Sequence, residues 1–289
     1  MKKSLFIIPA LFISLIGYSQ KQTDFNLDET YPIDLGGTIY MNINDAKVTI
    51  KGEDRKDVKV KIDYVVRSKG IEWGNREFSV DVDSRGGDLY IKEYRQGNTT
   101  IMGYVSVEYS IEINAPFDVS LDIRGDDDDY NITAINGEVS INADDADVVM
   151  KNCKGNRFFF DIDDGDIFMD EGKGQLTARV DDGDIEIRNA NFENIDYRGD
   201  DGDVAIETSI GPNAIFRFSS DDSTIDLVIT EGGGTFSIDH DNGRIDYDNN
   251  FRLMEKDDDR TVLSLTGGRA KIVIKGDDIR VNLASTFSN

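Results

Sequence analysis

Apolar and polar residues alternate with a period of two along most of this chain, and the alternation is interrupted at regular intervals by the same acidic turn. Asp163-Asp164-Gly165-Asp166-Ile167 returns as Asp181-Asp182-Gly183-Asp184-Ile185 and as Asp200-Asp201-Gly202-Asp203-Val204. With the glycine as position zero, looser copies centre on Asp128, Ala146, Ser223 and Gly243, and two outlying ones on Ala46 and Ala270. Positions +2 and +4 are apolar or aromatic in every copy, from Val48/Ile50 through Ile185/Ile187 to Ile272/Ile274. Positions −7 and −5 carry no charge, from Ile39/Met41 through Phe158/Phe160 to Leu263/Leu265. Two alternating segments on either side of a fixed turn predict two short strands meeting at a corner. Position −3 is mostly small or apolar and is expected to point inward at that corner; it includes His240.

Successive centres lie 18 to 21 residues apart from Asp128 to Gly243. That is too short for a helical crossover, and no segment shows a helical period. One such unit cannot bury its own apolar residues, so stacking must do it. The predicted fold is all-β: a single-stranded parallel β-helix, or β-solenoid, right-handed by the general preference of parallel crossovers. Residues 52–118 break the frame with longer alternating runs such as Val58/Val60/Ile62/Tyr64 and Val105/Val107/Tyr109, and are expected to form an antiparallel β lobe near the N-terminus. The main coils are expected over 119–289, with a protruding loop over 249–259 and a closing strand at Ile279/Val281/Leu283.

Composition adds a compartment. Lys2 and Lys3, the apolar run Leu5 to Ile16, and the small residues Gly17 and Ser19 before Gln20 have the order of a cleavable signal peptide over residues 1–19. The run is shorter than the roughly 20 apolar residues of a membrane span. No cysteine stands directly after it, as a lipid-anchored protein would require, and no later stretch spans a membrane. The expectation is an exported protein whose residues 20–289 form a single domain, located in the periplasm, on the outer surface or outside the cell. The net charge is −25. Such a surface repels nucleic acid and anionic lipid and favours cations or basic partner surfaces. The single cysteine, Cys153, makes no internal disulfide, so packing alone holds the fold.

The layout resembles the bacterial "putative adhesin" family, a domain of unknown function. The resemblance is carried by Gly36-Gly37-Thr38-Ile39, the turn and strand from Asn44 to Gly52, the approach from Tyr109 to Pro116, and units such as Asn136 to Ile141. It implies an exported β-solenoid acting at the cell surface and supplies no catalytic or ligand motif. This chain differs in its abundance of corner aspartates.

Those aspartates are the strongest chemical signal. Five successive coils carry Asp at −2, −1 and +1, which places Asp145, Asp147, Asp164, Asp166, Asp182, Asp184, Asp201 and Asp203 along one edge. Stacked carboxylates repel, and Ca²⁺, which takes several oxygen ligands, is a natural remedy. Asp is also a good turn residue, whose charge backbone N–H groups and mobile cations can satisfy. Both readings stand at this point. A carbohydrate-cleaving carboxylate pair is disfavoured, because an active site breaks a repeat locally and these pairs recur in every coil. His240 reads as a packed structural histidine and Cys153 as a small buried side chain. Trp73 and Arg76 read as a local packing anchor, with ligand contact as the alternative. The expected function is a non-enzymatic adhesin-like binding or scaffold protein, its partner an unspecified protein or glycan at the cell surface. The alternatives are a Ca²⁺-stabilised structural repeat protein and a carbohydrate-active β-helix.

Overall fold

The two alternating segments of each repeat form two parallel ladders that face each other across one core. The computed structural model describes residues 22–74 and 76–286, so the leader expected over 1–19 lies outside the described residues. In the first ladder Leu121, Val139, Phe158, Leu176 and Ile195 stand in register across successive strands. In the second, Tyr130, Val148, Ile167, Ile185, Val204 and Ile225 do the same. These are the −7 and +2 positions of the frame. The side chains between the ladders, including Phe158, Phe160, Tyr197, Phe216 and Phe218, are all but completely buried. The expected β-solenoid is therefore the observed architecture, and it has no helix among the described residues.

Glycine at position zero answers a close approach between coils. Gly165 and Gly202 have φ of 133° and 134°. A Cβ on Gly165 would lie 2.3 Å from the Ala146 carbonyl oxygen. The opposite corner has its own signature. Ala134, Asn152, Glu171 and Asn189, each at +6, adopt left-handed φ between 54° and 73°. The segment after +4, which reads as loose in the sequence, is thus a second regular corner.

The ends depart from the expected frame. At the front, Asp88–Gln96 pairs in parallel with Thr38–Asn42, and the end of Thr99–Pro116 pairs in parallel with Lys47–Glu53. Residues 52–118 therefore contribute a coil of their own, layered outside the first repeat. The antiparallel lobe is present as well. Asp57–Gly74 pairs with Gln22–Pro32 and Thr99–Pro116, and Glu77–Arg85 pairs with Asp88–Gln96. An aromatic cluster of Phe25, Tyr64, Phe78 and Tyr109 fills this cap.

At the far end the expected register is corrected. Ile272 and Ile274 do not occupy the +2 and +4 ladder; they lie in the other one, flanked by Phe216/Phe218 on one side and Phe236/Ile238 on the other. Val281 and Leu283 likewise sit between Ile225/Leu227 and Ile245/Tyr247. The last segment of the chain is thus threaded into the stack one layer from its end and is not a closing strand. The region expected as a protruding loop contains Phe251–Lys256, which forms an antiparallel hairpin with Arg260–Leu265 over Gly234–His240. Leu263 and Leu265 belong to that hairpin and not to a coil. The physical reason is degeneracy: a period of two marks a strand's buried face but not its neighbour. Among the described residues each ladder then holds ten parallel strands, which at about 4.8 Å per layer extends roughly 43 Å.

Candidate functional site: the acidic corner edge

The corner that joins the ladders carries the aspartates, and stacking sorts them into rows with different surroundings. All eight of Asp145, Asp147, Asp164, Asp166, Asp182, Asp184, Asp201 and Asp203 are exposed. In the +1 row each carboxylate from Asp147 to Asp203 accepts a backbone N–H from the same position one coil on. Asp166 N–H donates to Asp147 Oδ1 at 3.1 Å, Asp184 N–H to Asp166 Oδ1 at 2.9 Å, and Asp203 N–H to Asp184 Oδ1 at 2.8 Å. The row ends where Thr224 N–H donates to Asp203 Oδ1 at 2.9 Å. This Asp row therefore clamps neighbouring coils, since a charged acceptor strengthens each bond.

Among the described residues the −1 row has no such partners. Asp145, Asp164, Asp182, Asp201 and Asp222 stand directly beside one another in parallel register. Among the described residues no lysine or arginine forms an ion pair with Asp145, Asp164, Asp182 or Asp201. Local desolvation, and after it the charges of Asp127 and Asp164, holds the Asp145 carboxyl above the usual carboxylate range. Desolvation and then Asp200 and Asp163 do the same to Asp181 in the −2 row. Desolvation followed by Asp127 and Asp144 raises Asp126. Among the described residues no three acidic, histidine or cysteine side chains converge on one point.

At the front of the edge an open groove of about 440 Å³ runs across Asp45, Asp127, Asp129, Asp145 and Asp164. Lys47 reaches Asp129 at 3.6 Å and supplies a cation there. The groove floor contains one carboxylate that behaves differently. Asp128, at position zero, is buried. It accepts hydrogen bonds from Ala46 N–H at 2.7 Å, Asp126 N–H at 3.1 Å and the Tyr130 hydroxyl at 2.9 Å. Burial pushes its carboxyl up to about 6 against these three donors, which favour the ionised form. Sequence reasoning missed Asp128 because its key donor, Ala46, lies 82 residues earlier.

The other singled-out residues lie apart from this edge. His240 is buried at its −3 corner, with Nε2 3.5 Å from Thr261 Oγ1. Cys153 is fully buried and its thiol is raised by desolvation. Trp73 is not a packing anchor: it is 52% exposed. Among the described residues the strand Gln22–Pro32 pairs with its neighbour from Asp57 to Arg67, and Trp73 lies beyond that paired stretch.

The family described as Toastrack DUF4097 matches residues 38–248. That span stops before the threaded coil. Among solved structures, a "putative adhesin" from Parabacteroides distasonis is similar over 91% of this chain and 97% of its own, at 10% identity and a TM-score of 0.50. A second "putative adhesin", from Parabacteroides merdae, is similar over 91% of this chain and 95% of its own, at 12% identity and a TM-score of 0.39. A "putative lipid binding protein" from Parabacteroides distasonis is similar over 91% of this chain and 96% of its own, at 10% identity and a TM-score of 0.31. No curated protein sequence matches the chain.

Proposed function

From the premise that this chain belongs to the Toastrack DUF4097 family, we propose that it is an exported, non-catalytic binding or scaffold protein of the bacterial cell envelope. Its partner is a protein or glycan met at the cell surface. The observation that carries this reading is the repetition of the corner edge. The same exposed carboxylates recur coil after coil in strict register, which makes an extended one-sign surface and not a single reacting centre. A surface of this kind recruits basic partner patches by long-range attraction, and does so less well as salt rises. Fractionation of the native host tests the assignment. The protein is expected outside the cytoplasm with a mature N-terminus at or near Gln20, and a cytoplasmic protein with Met1 intact refutes export.

A second reading draws support from the −1 row alone. Adjacent carboxylates without cationic partners suit a divalent ion bridging two coils, with Asp145, Asp164, Asp182 and Asp201 as ligands. Asp147, Asp166, Asp184 and Asp203 stand beside them with one oxygen already engaged. An ion that binds only the folded state raises the melting temperature with concentration. Melts in CaCl₂ and NaCl at matched ionic strength decide. A larger rise in CaCl₂, lost in a variant with Asp164, Asp182 and Asp201 all changed to Asn, is the expected result. Equal rises show screening alone.

A further inference from the structure

The outer face of the first ladder carries, near the front cap, a constellation unlike the rest of the surface. Four strands lie side by side there: Glu77–Arg85, Asp88–Gln96, Thr38–Asn42 and Ser120–Arg124. Their register sets Asp83, Tyr90, Tyr40 and Asp122 in one row and Asp81, Lys92, Asn42 and Arg124 in the next. The Tyr40 and Tyr90 rings are stacked, 4.8 Å apart and 11° from parallel. The Arg85 guanidinium covers the Tyr90 ring at 4.0 Å. The two rows border an open cleft of about 440 Å³.

The geometry points to a neutral-carbohydrate site in this cleft, with the Tyr40 ring face turned away from Tyr90 as its platform and Asn42, Asp122 and Arg124 as hydroxyl-binding groups. Four observations carry the inference. Charge is the first: three carboxylates, Asp81, Asp83 and Asp122, balance Arg85, Lys92 and Arg124 on a chain whose net charge is −25. A site for an anion or a cation would not be balanced in this way. Second, Met41 and Ile91, the aliphatic residues bordering the cleft, point into the core and are nearly fully buried. The apolar surface on offer is therefore tyrosine ring, which suits the C–H face of a pyranose better than an aliphatic ligand. Third, among the described residues the side chains of Asn42, Asp122 and Arg124 form no hydrogen bond or ion pair with another side chain. Acceptors and donors, one strand or two residues apart, are left to pair with the hydroxyls of a sugar. Fourth, every group stands on a strand of a continuous sheet, so little ordering is lost on binding.

This inference deepens the reading of a non-catalytic binding protein by naming a ligand class, and it places the ligand on a face other than the acidic edge. Affinity electrophoresis tests it, with gels cast in xylan, galactomannan, mixed-linkage β-glucan or starch, and with polygalacturonate and chitosan as charged counterparts. At least one neutral polymer is expected to retard the full chain. Tyr40→Ala and Arg124→Ala are each expected to weaken that retardation at least tenfold. Phe159→Ala, in the same row two strands beyond Asp122, leaves it unchanged. Arg124 is exposed, so its variant keeps the test valid if loss of Tyr40 impairs folding. Retardation by charged polymers only, by none of the polymers, or undiminished in the Arg124 variant overturns the site. Chromatography of the same polymers after incubation separates the two claims. Shortened chains would refute the non-catalytic reading while leaving the site in place.

Discussion

The threading of the last segment into the stack makes a quantitative demand on Leu283. If sequence order were spatial order, this residue would lie in the outermost coil, with one side near solvent. Instead it is 2% exposed and stands in register between Leu227 and Tyr247. Leu283→Ala deletes three carbons, worth about 2.4 kcal/mol at about 0.8 kcal/mol each. Parallel ladders on both sides resist collapse into the gap, and the cavity term brings the cost to about 4 kcal/mol, within the range of about 2.7–5 kcal/mol for buried leucines. Leu227→Ala, at 1% exposure in an unquestioned interior coil, is expected to cost the same within about 0.5 kcal/mol. Leu253→Ala, in the outer hairpin and 44% exposed, is expected to cost about 1 kcal/mol or less. Thermal melts followed by far-ultraviolet circular dichroism rank the three. At about 2 °C per kcal/mol for a chain of this size, the two interior variants lose roughly 8 °C. A Leu283 variant that melts with the Leu253 variant, and not with the Leu227 variant, refutes the threaded order.

Ile187→Asp buries an unpaired charge between the ladders and is expected to abolish folding, whereas Glu186→Ala, on the outer face, changes stability by less than about 0.5 kcal/mol; soluble yield and melting temperature check both. Asp184→Asn keeps an acceptor for Asp203 N–H and removes a charge, so it is expected to melt above wild type at low salt, and Asp184→Ala below Asp184→Asn by about 1 kcal/mol. Asp128, which faces Glu93, Asp126 and Tyr130, has a folded value near 6, above the usual 3.8. Its ionisation therefore costs the fold: its contribution is fully favourable below about 4 and is lost as pH rises through 6, by roughly 3 kcal/mol. Asp128→Asn is expected to flatten that segment, and melts of both proteins from pH 4 to 7 that stay parallel exclude it. Ending the chain before Ala270 removes a layer from between Ile215–Ser219 and Gly234–His240 and is expected to yield insoluble protein, where removal of an outermost coil would leave the rest folded.

The buried face of nearly every coil was legible in the sequence, because charge is excluded from +2, +4, −7 and −5 wherever two ladders meet. The position of each coil in the stack was not. All coils present similar hydrogen-bonding edges, so Ile272/Ile274 satisfies either ladder equally well on pattern alone, and only its pairing between Ile215–Ser219 and Gly234–His240 resolves it. The same degeneracy hid the tyrosine stack. Tyr90 lies beside Tyr40 only because residues 88–96 rejoin the stack after the antiparallel excursion. Of the acidic edge, the in-register rows were legible and their bonding was not. Recurrence of Asp at +1 signals equally a turn residue, a metal ligand or an acceptor for the next coil's N–H. The left-handed corner at +6 left a trace in Asn152 and Asn189, which tolerate that conformation, but Ala134 and Glu171 obscure it.

Both extremities of the repeat lie one layer in from the ends of the stack, and this changes how the molecule bears load. In an array whose chain ends at an outermost rung, tension on that end peels the rung away one hydrogen bond at a time. Here the C-terminal strand Arg280–Ser285 runs parallel between Thr224–Glu231 and Arg244–Tyr247, bonded along both edges. A pull on it loads both rows of bonds in shear at once, so they must yield together. A tether attached at this end would meet its greatest resistance at the first step of extraction, not the last.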